Sequence, residues 1–531
     1  MPTVREATYD LLRSYGVRTF FGNPGSNELP FLDGFPEDFR YVLGLHEGAA
    51  VAMADGYAQA SGETVLVNLH SAAGLGNAMG SLVNAKTSRT PLVVTAGQQA
   101  REMVPVEALL ANVGATRLPE PLVKWSNEPL RPEDVPAAIA RACHLAALPP
   151  RGPVFVSLPL DDWSAEADGE KLRLLEDRSV TGRAAPEPSV TRALAERLDR
   201  ARSPVFVVGP DVDEEGAFED AVKLAERRRM PVWVSPSTSR CPFPTDHACF
   251  RGVLPTGIKA LSGTLSGHDL ILVAGAPVFR YHQYQPGPFL PPGASLVAIT
   301  NDPDEAARAP MGDAIVADVA LALRALVEAV SPSTGPAPEP RQRPAPAPIT
   351  SPLSAEAVYD ALDGVLPPDA VLVNESTSDK AVFWERVTMS RRGSYYFAAA
   401  GGLGFGLAAA VGIGLARPQR PVVAVIGDGS AQYSIPALWS AVRYGIPVTF
   451  LIMSNGSYDV LEDFGRLLGV TGVPGIELPG LDHVALARGY GMEGRRVESR
   501  EELVEALKEA LASDAPRLVE VPVRRRGEVR A

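Results

Sequence analysis

The sequence predicts three doubly wound α/β domains with mostly parallel sheets. Short β-branched runs alternate with helical stretches along the whole chain, and the runs are continuously apolar, as parallel strands buried on both faces read. The 531 residues exceed one core and divide into three units of about 177. Breaks in composition fall near the same thirds. Ser331–Pro352 holds eight prolines in 22 residues, an extended and semi-rigid segment that builds no core. A weaker break lies at residues 165–190, where charged residues give way to RAAPEPSV. The expected units are therefore an N-terminal domain over 1–180, a middle domain over 185–330, a Pro-rich linker over 331–352 and a C-terminal domain over 353–531.

In the first unit the strands are expected at Arg18–Phe21, Tyr41–Leu43, Thr64–Asn68, Pro91–Ala96 and Val154–Leu158. In the second they fall at Val205–Val208, Val232–Val234, Leu270–Ala274 and Ser295–Ile299. In the third they fall at Ala370–Asn374, Val422–Ile426, Thr449–Met453 and Arg517–Val521. Right-handed crossovers between such strands place ligands at their carboxyl ends. The chemistry is expected in the loops that follow them.

Composition narrows the class. With 46% hydrophobic and 21% charged residues the chain is an ordinary globular protein, not a disordered or disulfide-knot one. A net charge of −13 argues against nucleic acid as partner. Three cysteines form no disulfide framework, which fits a reducing cytoplasm. Cys241, His247 and Cys249 lack a fourth ligand and zinc spacing, so no metal is expected there. The N-terminus has no apolar signal core. Phe397–Ala416 is uncharged for twenty residues, but six are glycine and it runs into a strand. A buried Gly-rich loop and helix is expected, not a membrane span.

The third unit carries the sharpest motif. The strand PVVAVIG ends in Gly427-Asp428-Gly429-Ser430, and IPVTFLIMSN ends in Asn455, one βαβ crossover later. One carboxylate and one amide oxygen are too few for a closed protein site. They suit Mg²⁺ whose octahedron is completed by phosphate oxygens and water. The glycines allow close backbone approach, and the amides after Asp428 open a helix N-terminus that favours a diphosphate. The spacing of Gly402-x-Gly404-x-Gly406 does not match a dinucleotide fingerprint. In the first unit Ser26, Glu47 and His70 each fall in a loop after a strand. Taken alone, Glu47 also reads as a carboxylate at a helix N-terminus. His70 alone reads as a structural histidine, and His282 in Arg280-Tyr281-His282-Gln283-Tyr284 as a surface-loop one.

Taken in order, these motifs resemble the thiamin-diphosphate-dependent 2-oxo acid decarboxylases. Gly427-Asp428-Gly429…Asn455 is similar to the cofactor signature, and His46-Glu47-Gly48-Ala49-Ala50 with Ala54-Asp55-Gly56-Tyr57-Ala58 to the pyrimidine-domain glutamate motif. FGNPGSNELPFL, DGYAQASG, NLHSAAG, RYHQY and YYFAAAGGLGFGL look most like the branch acting on benzoylformate. The resemblance spans essentially the whole chain. It implies pyrimidine-binding, middle and diphosphate-binding domains in that order. It implies decarboxylation of an aromatic 2-oxo acid to the aldehyde and CO₂ through a cofactor ylide and enamine, with thiamin diphosphate and Mg²⁺.

By that resemblance Glu47 meets the aminopyrimidine nitrogen, Gly401 offers its carbonyl to the 4′-amino group and Leu403 wedges under the ring. Asp428, Asn455 and the Ser457 carbonyl take Mg²⁺. Gly427, Gly429, Ser430, Thr377, Ser378 and Tyr458 line the cofactor. Ser26 binds the substrate carboxylate, and His70 and His282 carry protons. Pro24, Gly25, Leu109, Leu110, Phe397, Ala398, Val460 and Phe464 form the pocket for a flat aromatic group. The family places each active site between two chains, which implies a homotetramer built of two dimers. Ser454, Ala398 and Val460 depart from the family pattern, as do the acids Asp459, Glu462 and Asp463, expected above the site where they would repel an anionic substrate unless they point outward. The alternatives are a carboligase or synthase on the same cofactor and a non-catalytic scaffold subunit. An oxidase would need flavin contacts, for which the middle unit carries no motif.

Overall fold

A computed structural model describes residues 1–282 and 284–526. Its frame is three six-stranded sheets in which every neighbouring pair is parallel. The first contains β1 (Thr19–Asn23), β2 (Arg40–Leu43), β3 (Val65–Leu69), β4 (Leu92–Gln98), β5 (Ser126–Asn127) and β6 (Val154–Pro159), in the order β2-β1-β3-β4-β6-β5. The second contains β7 (Pro204–Val208), β8 (Val232–Val234), β9 (Phe250–Val253), β10 (Leu270–Ala274), β11 (Ser295–Thr300) and β12 (Asp313–Val316), in the order β12-β11-β10-β7-β8-β9. The third contains β13 (Val371–Glu375), β14 (Tyr395–Phe397), β15 (Val422–Gly427), β16 (Val448–Ser454), β17 (Glu493–Arg496) and β18 (Arg517–Pro522), in the order β14-β13-β15-β16-β18-β17.

The central strands agree with the sequence to within one or two residues at each end. The sequence reading lacks β5, β9, β12, β14 and β17, and all five lie at sheet edges. Four of them are only partly buried. An edge strand pairs on one side only, so it does not need the continuous apolar run that marks a central one.

Each sheet changes winding direction once, and the crevice at that point is where an open α/β sheet takes a ligand. In the first sheet it lies between β1 and β3, in the third between β13 and β15. In the second it lies between β7 and β10, and side chains fill it. Arg89, from the first domain, donates to Asp211 Oδ2 at 2.6 Å and Asn301 Oδ1 at 3.1 Å and pairs with Glu305 at 2.6 Å.

Several contacts fix the first domain against the third, two of them central. The helix Glu47–Ser61 packs on the buried helix Phe405–Ala416. A Cβ at Gly56 would meet the Ala409 carbonyl oxygen at 2.3 Å, and one at Gly412 the Met53 carbonyl oxygen at 1.9 Å, so only glycine allows the helices this close. Asn84, in the last turn of helix Ser71–Thr87, donates to the Gly402 carbonyl at 2.9 Å and accepts from Ala400 N–H at 3.2 Å. At 12 residues, Phe405–Ala416 spans about 18 Å. Among the described residues no helix is long and apolar enough to cross a membrane.

Arg89→Ala would leave Asp211 buried without its cation and Glu305 with only the exposed Arg308. It is expected to destabilise the fold by about 3 kcal/mol or more, read as a lowered Tm.

Candidate active site

The site residues form two groups. The first surrounds the crevice between β1 and β3. Glu28 is buried, and its carboxylate accepts from Gly25 N–H at 2.8 Å, Ser71 N–H at 3.1 Å and Gly97 N–H at 2.8 Å. His70 Nδ1 lies 2.9 Å from Glu28 Oε2. With the carboxylate an acceptor on every side, Nδ1 is the donor and Nε2 is left free to carry a proton. Gly25 must be glycine, because a Cβ there would stand 1.9 Å from His70 Nδ1. Pro24 and Ser26 are exposed on the same turn.

Glu47 opens the helix Glu47–Ser61, capped by His46 Nδ1, which accepts from Gly48 N–H at 3.1 Å. Ala49 to Ala52 are buried behind it, as the sequence implies. The surroundings are not wholly apolar, however: Asn77 Nδ2 donates to Glu47 Oε2 at 3.1 Å. That amide holds the carboxylate in one orientation.

The second group lies where the third sheet reverses. Thr377, Ser378, Gly427, Asp428, Gly429, Ser430, Asn455, Ser457, Tyr458 and Val460 line one cleft. Asp428 Oδ1 accepts from Gly429 N–H at 2.7 Å, and Oδ2 accepts from Asn455 N–H at 3.0 Å and Gly456 N–H at 2.6 Å. Burial raises its pKa against these hydrogen bonds. A Cβ on Gly429 would stand 2.4 Å from the Tyr458 ring. From behind, buried His483 Nε2 meets the Asp428 carbonyl oxygen at 3.1 Å.

One carboxylate, one amide oxygen and several hydroxyls form a hard-oxygen donor set open on one side. Ser457 Oγ is buried at the cleft without a hydrogen-bond partner among the described residues. Both features fit a divalent cation carrying a diphosphate.

Beside this cleft the His282 ring meets the Phe464 ring edge-on, with centroids 4.9 Å apart. Phe397 and Ala398 are buried, and Gly401 and Leu403 occupy the loop just before helix Phe405–Ala416. Gln283, in the same motif as His282, lies outside the described residues. Buried Glu375 ends β13 and accepts from Phe405 N–H at 3.1 Å and Gly406 N–H at 3.0 Å, tying that loop to the sheet. Burial pushes its carboxyl up to about 8.

Two expectations gain detail here. Leu109 is 86% exposed, and the Leu110 carbonyl accepts from Asn27 beside the first crevice. The acids above the site are engaged within the chain. Asp459 accepts from Arg526 N–H at 3.1 Å, Asp463 pairs with Arg466 and Arg526, and Glu462 lies 3.8 Å from Arg466. Glu28, Asn77, Glu375 and His483 were not legible. Only Glu28 had a signal, since it follows Ser26 by two residues in a loop after a strand.

Three parallel sheets with ligand crevices at the reversals of the first and third define a multidomain α/β enzyme class. The chain belongs to the thiamine pyrophosphate enzymes. That family's N-terminal TPP binding domain matches residues 2–116, its central domain 191–326 and its C-terminal TPP binding domain 379–521. A benzoylformate decarboxylase of Pseudomonas aeruginosa is 58% identical over 523 residues, covering 98% of this chain and 99% of that protein. The structure of a thiamine diphosphate-dependent 4-hydroxybenzoylformate decarboxylase from Rhodococcus jostii superposes with a TM-score of 0.97 at 53% identity, over 98% of this chain and 99% of that one. A benzoylformate decarboxylase from Polynucleobacter necessarius superposes with 0.96 at 41% identity, over 99% of both.

Because Glu375 binds a proton on folding between the ordinary carboxyl value of 4.5 and about 8, it favours the fold at low pH and opposes it increasingly as pH rises to about 8. Glu375→Gln should therefore gain Tm relative to the parent between pH 5 and 8, measured as paired melts across pH.

Proposed function

We propose that this protein decarboxylates an aromatic 2-oxo acid, benzoylformate or a ring-substituted relative, to the aldehyde and CO₂, using thiamin diphosphate and Mg²⁺. The observation that carries the reading is the coexistence of the Gly427-Asp428-Gly429/Asn455 cradle with Glu47 and the Glu28–His70 pair in a chain 58% identical to a benzoylformate decarboxylase. Thiamin diphosphate, when bound, supplies an electron sink for the carbon that loses CO₂.

The chain's own residues do the rest. Asp428, Asn455 and the Ser457 carbonyl would hold Mg²⁺, with Thr377, Ser378, Gly427, Gly429, Ser430 and Tyr458 around the diphosphate. The Gly401 carbonyl and Leu403 would hold the pyrimidine end. Glu47, oriented by Asn77, holds a proton against the pyrimidine ring nitrogen. Ser26 would bind the substrate carboxylate. His70, fixed through Nδ1 by Glu28, takes and returns a proton at Nε2, and His282 serves the opposite side. Phe397, Ala398, Val460 and Phe464 exclude water from the aryl group, joined by Pro24, Gly25, Leu109 and Leu110.

These last four, with Ser26, Glu47 and His70, would come from another copy. Within one chain the two groups face apart. Asn84, which binds Gly402, lies thirteen residues beyond Ser71 on one helix, about 20 Å from the His70 corner. At the other end, the carboxyl end of β2 at Leu43 accepts from Ser440 Oγ, on the helix leading away from the cleft. The site is thus completed between copies, in a dimer or a homotetramer of two dimers.

Stripping cofactor and metal should abolish CO₂ release, and both together should restore it. Across a panel of 2-oxo acids, kcat/KM should favour phenylglyoxylates over pyruvate; equal values would contradict the aryl pocket. Glu47→Gln should lose about 100-fold or more in kcat, and near-normal turnover would remove Glu47 from its role.

A further inference from the structure

We propose that Lys380 is a specificity-determining residue that offers its amino group to an oxygen-bearing substituent on the ring of the aryl 2-oxo acid. The inference rests on the reaction proposed above and deepens it. Lys380 opens the helix Lys380–Arg386, two residues after Ser378, whose hydroxyl accepts from Val460 N–H at 3.2 Å beside the cleft. Its Nζ lies 3.6 Å from the centroid of the Phe397 ring, so the amino group covers one face of a wall of the aryl pocket.

Its own chain gives this group nothing else to bind. Among the described residues Nζ has no hydrogen-bond or ion-pair partner. The carboxylates of this region are engaged elsewhere. The Arg526 guanidinium pairs with Asp379 at 3.1 Å and with Asp463 at 3.6 Å, Asp459 accepts from the Arg526 backbone N–H, and Arg466 lies 3.8 Å from Glu462. The guanidinium of Arg280, which donates to the Ala399 carbonyl at 2.8 Å, adds positive charge nearby and relieves none. Burial first, and then Arg280, lower the Lys380 amine to about 7. Near neutral pH the group therefore exists both as ammonium and as free amine. Either form donates a hydrogen bond to a phenolic or carboxylate oxygen.

A half-buried donor that its own chain leaves unsatisfied penalises a ligand that cannot meet it. An apolar pocket discriminates weakly between ring substituents of similar size, whereas a pocket with such a donor discriminates strongly between hydroxyl and methyl. Ring-hydroxylated substrates should therefore be preferred to their methyl isosteres.

The test compares 3- and 4-hydroxybenzoylformate with 3- and 4-methylbenzoylformate on the cofactor-loaded protein, with unsubstituted benzoylformate as reference. Calorimetric affinities of the matching 2-hydroxy acids, which cannot lose CO₂ by this route, give a readout independent of turnover. At one ring position kcat/KM should favour hydroxyl over methyl by about ten- to hundredfold, and the calorimetric affinities should follow. Lys380→Met should bring that ratio close to one, whereas Lys380→Arg, which keeps a donor, should retain most of it. Lys380→Leu, which also lacks a donor, replaces the Met variant if the latter does not fold. A parent ratio near one at both positions overturns the proposal while leaving the decarboxylation reading intact. A high ratio that survives Lys380→Met or Lys380→Leu also overturns it. If no aryl 2-oxo acid is decarboxylated, the underlying reading fails and this one fails with it.

Discussion

The head-to-tail clasp between the first and third domains constrains everything else in this chain. Gly56 and Gly412 bring two helix backbones into contact, and Asn84 fastens the bottom of the first domain to the loop at the top of the third. Any side chain at either glycine would push the helices apart, since backbone atoms cannot yield as a flexible side chain can. The clasp fixes the geometry of a single chain and, by the same act, turns its two functional corners away from each other. Exposed apolar residues lie beside both corners, Leu109 at 86% and Leu468 at 70%. That is the surface expected of a chain that meets a copy of itself.

A second theme is how the acidic side chains of the site are held. Glu28, Glu375 and Asp428 are buried, and each is gripped by two or three backbone N–H groups rather than by a cation. Backbone donors orient a carboxyl group without pairing it to a cation, so each can still act on something else. Glu28 acts on the ring of His70. Glu375 fixes the loop that carries Gly401 and Leu403. Arginines are used instead where acids must be silenced. The guanidinium groups of Arg525 and Arg526 pair with Glu477, Asp379 and Asp463, so a chain with a net charge of −13 does not present those three acids to an anionic ligand.

Much of this was legible in the sequence, for an identifiable reason. Central strands announce themselves because burial on both faces demands unbroken apolar runs. Glu47, Asp428 and Asn455 announce themselves because each ends or follows such a strand. Edge strands such as β17, Glu-Gly-Arg-Arg, carry no such demand and read as loop. The partners Asn77, Glu375, His483 and Arg526 were equally hidden. Each meets its target across 28 or more residues of chain, and an isolated Asn or Arg has no local pattern that points to a distant carboxylate. Lys380 was hidden for the opposite reason, since its significance lies in lacking a partner, which only three dimensions reveal.

The central claim is that one chain carries two half-sites and that only a second copy completes them. Co-assembly of two inactive variants tests it most directly, with Glu47→Gln in one chain and Asp428→Ala in the other. A mixed dimer has one site built from the two intact halves, so random pairing should recover about a quarter of the parental activity. If the mixed assembly stays as inactive as either variant alone, each chain builds its site by itself and the account is wrong.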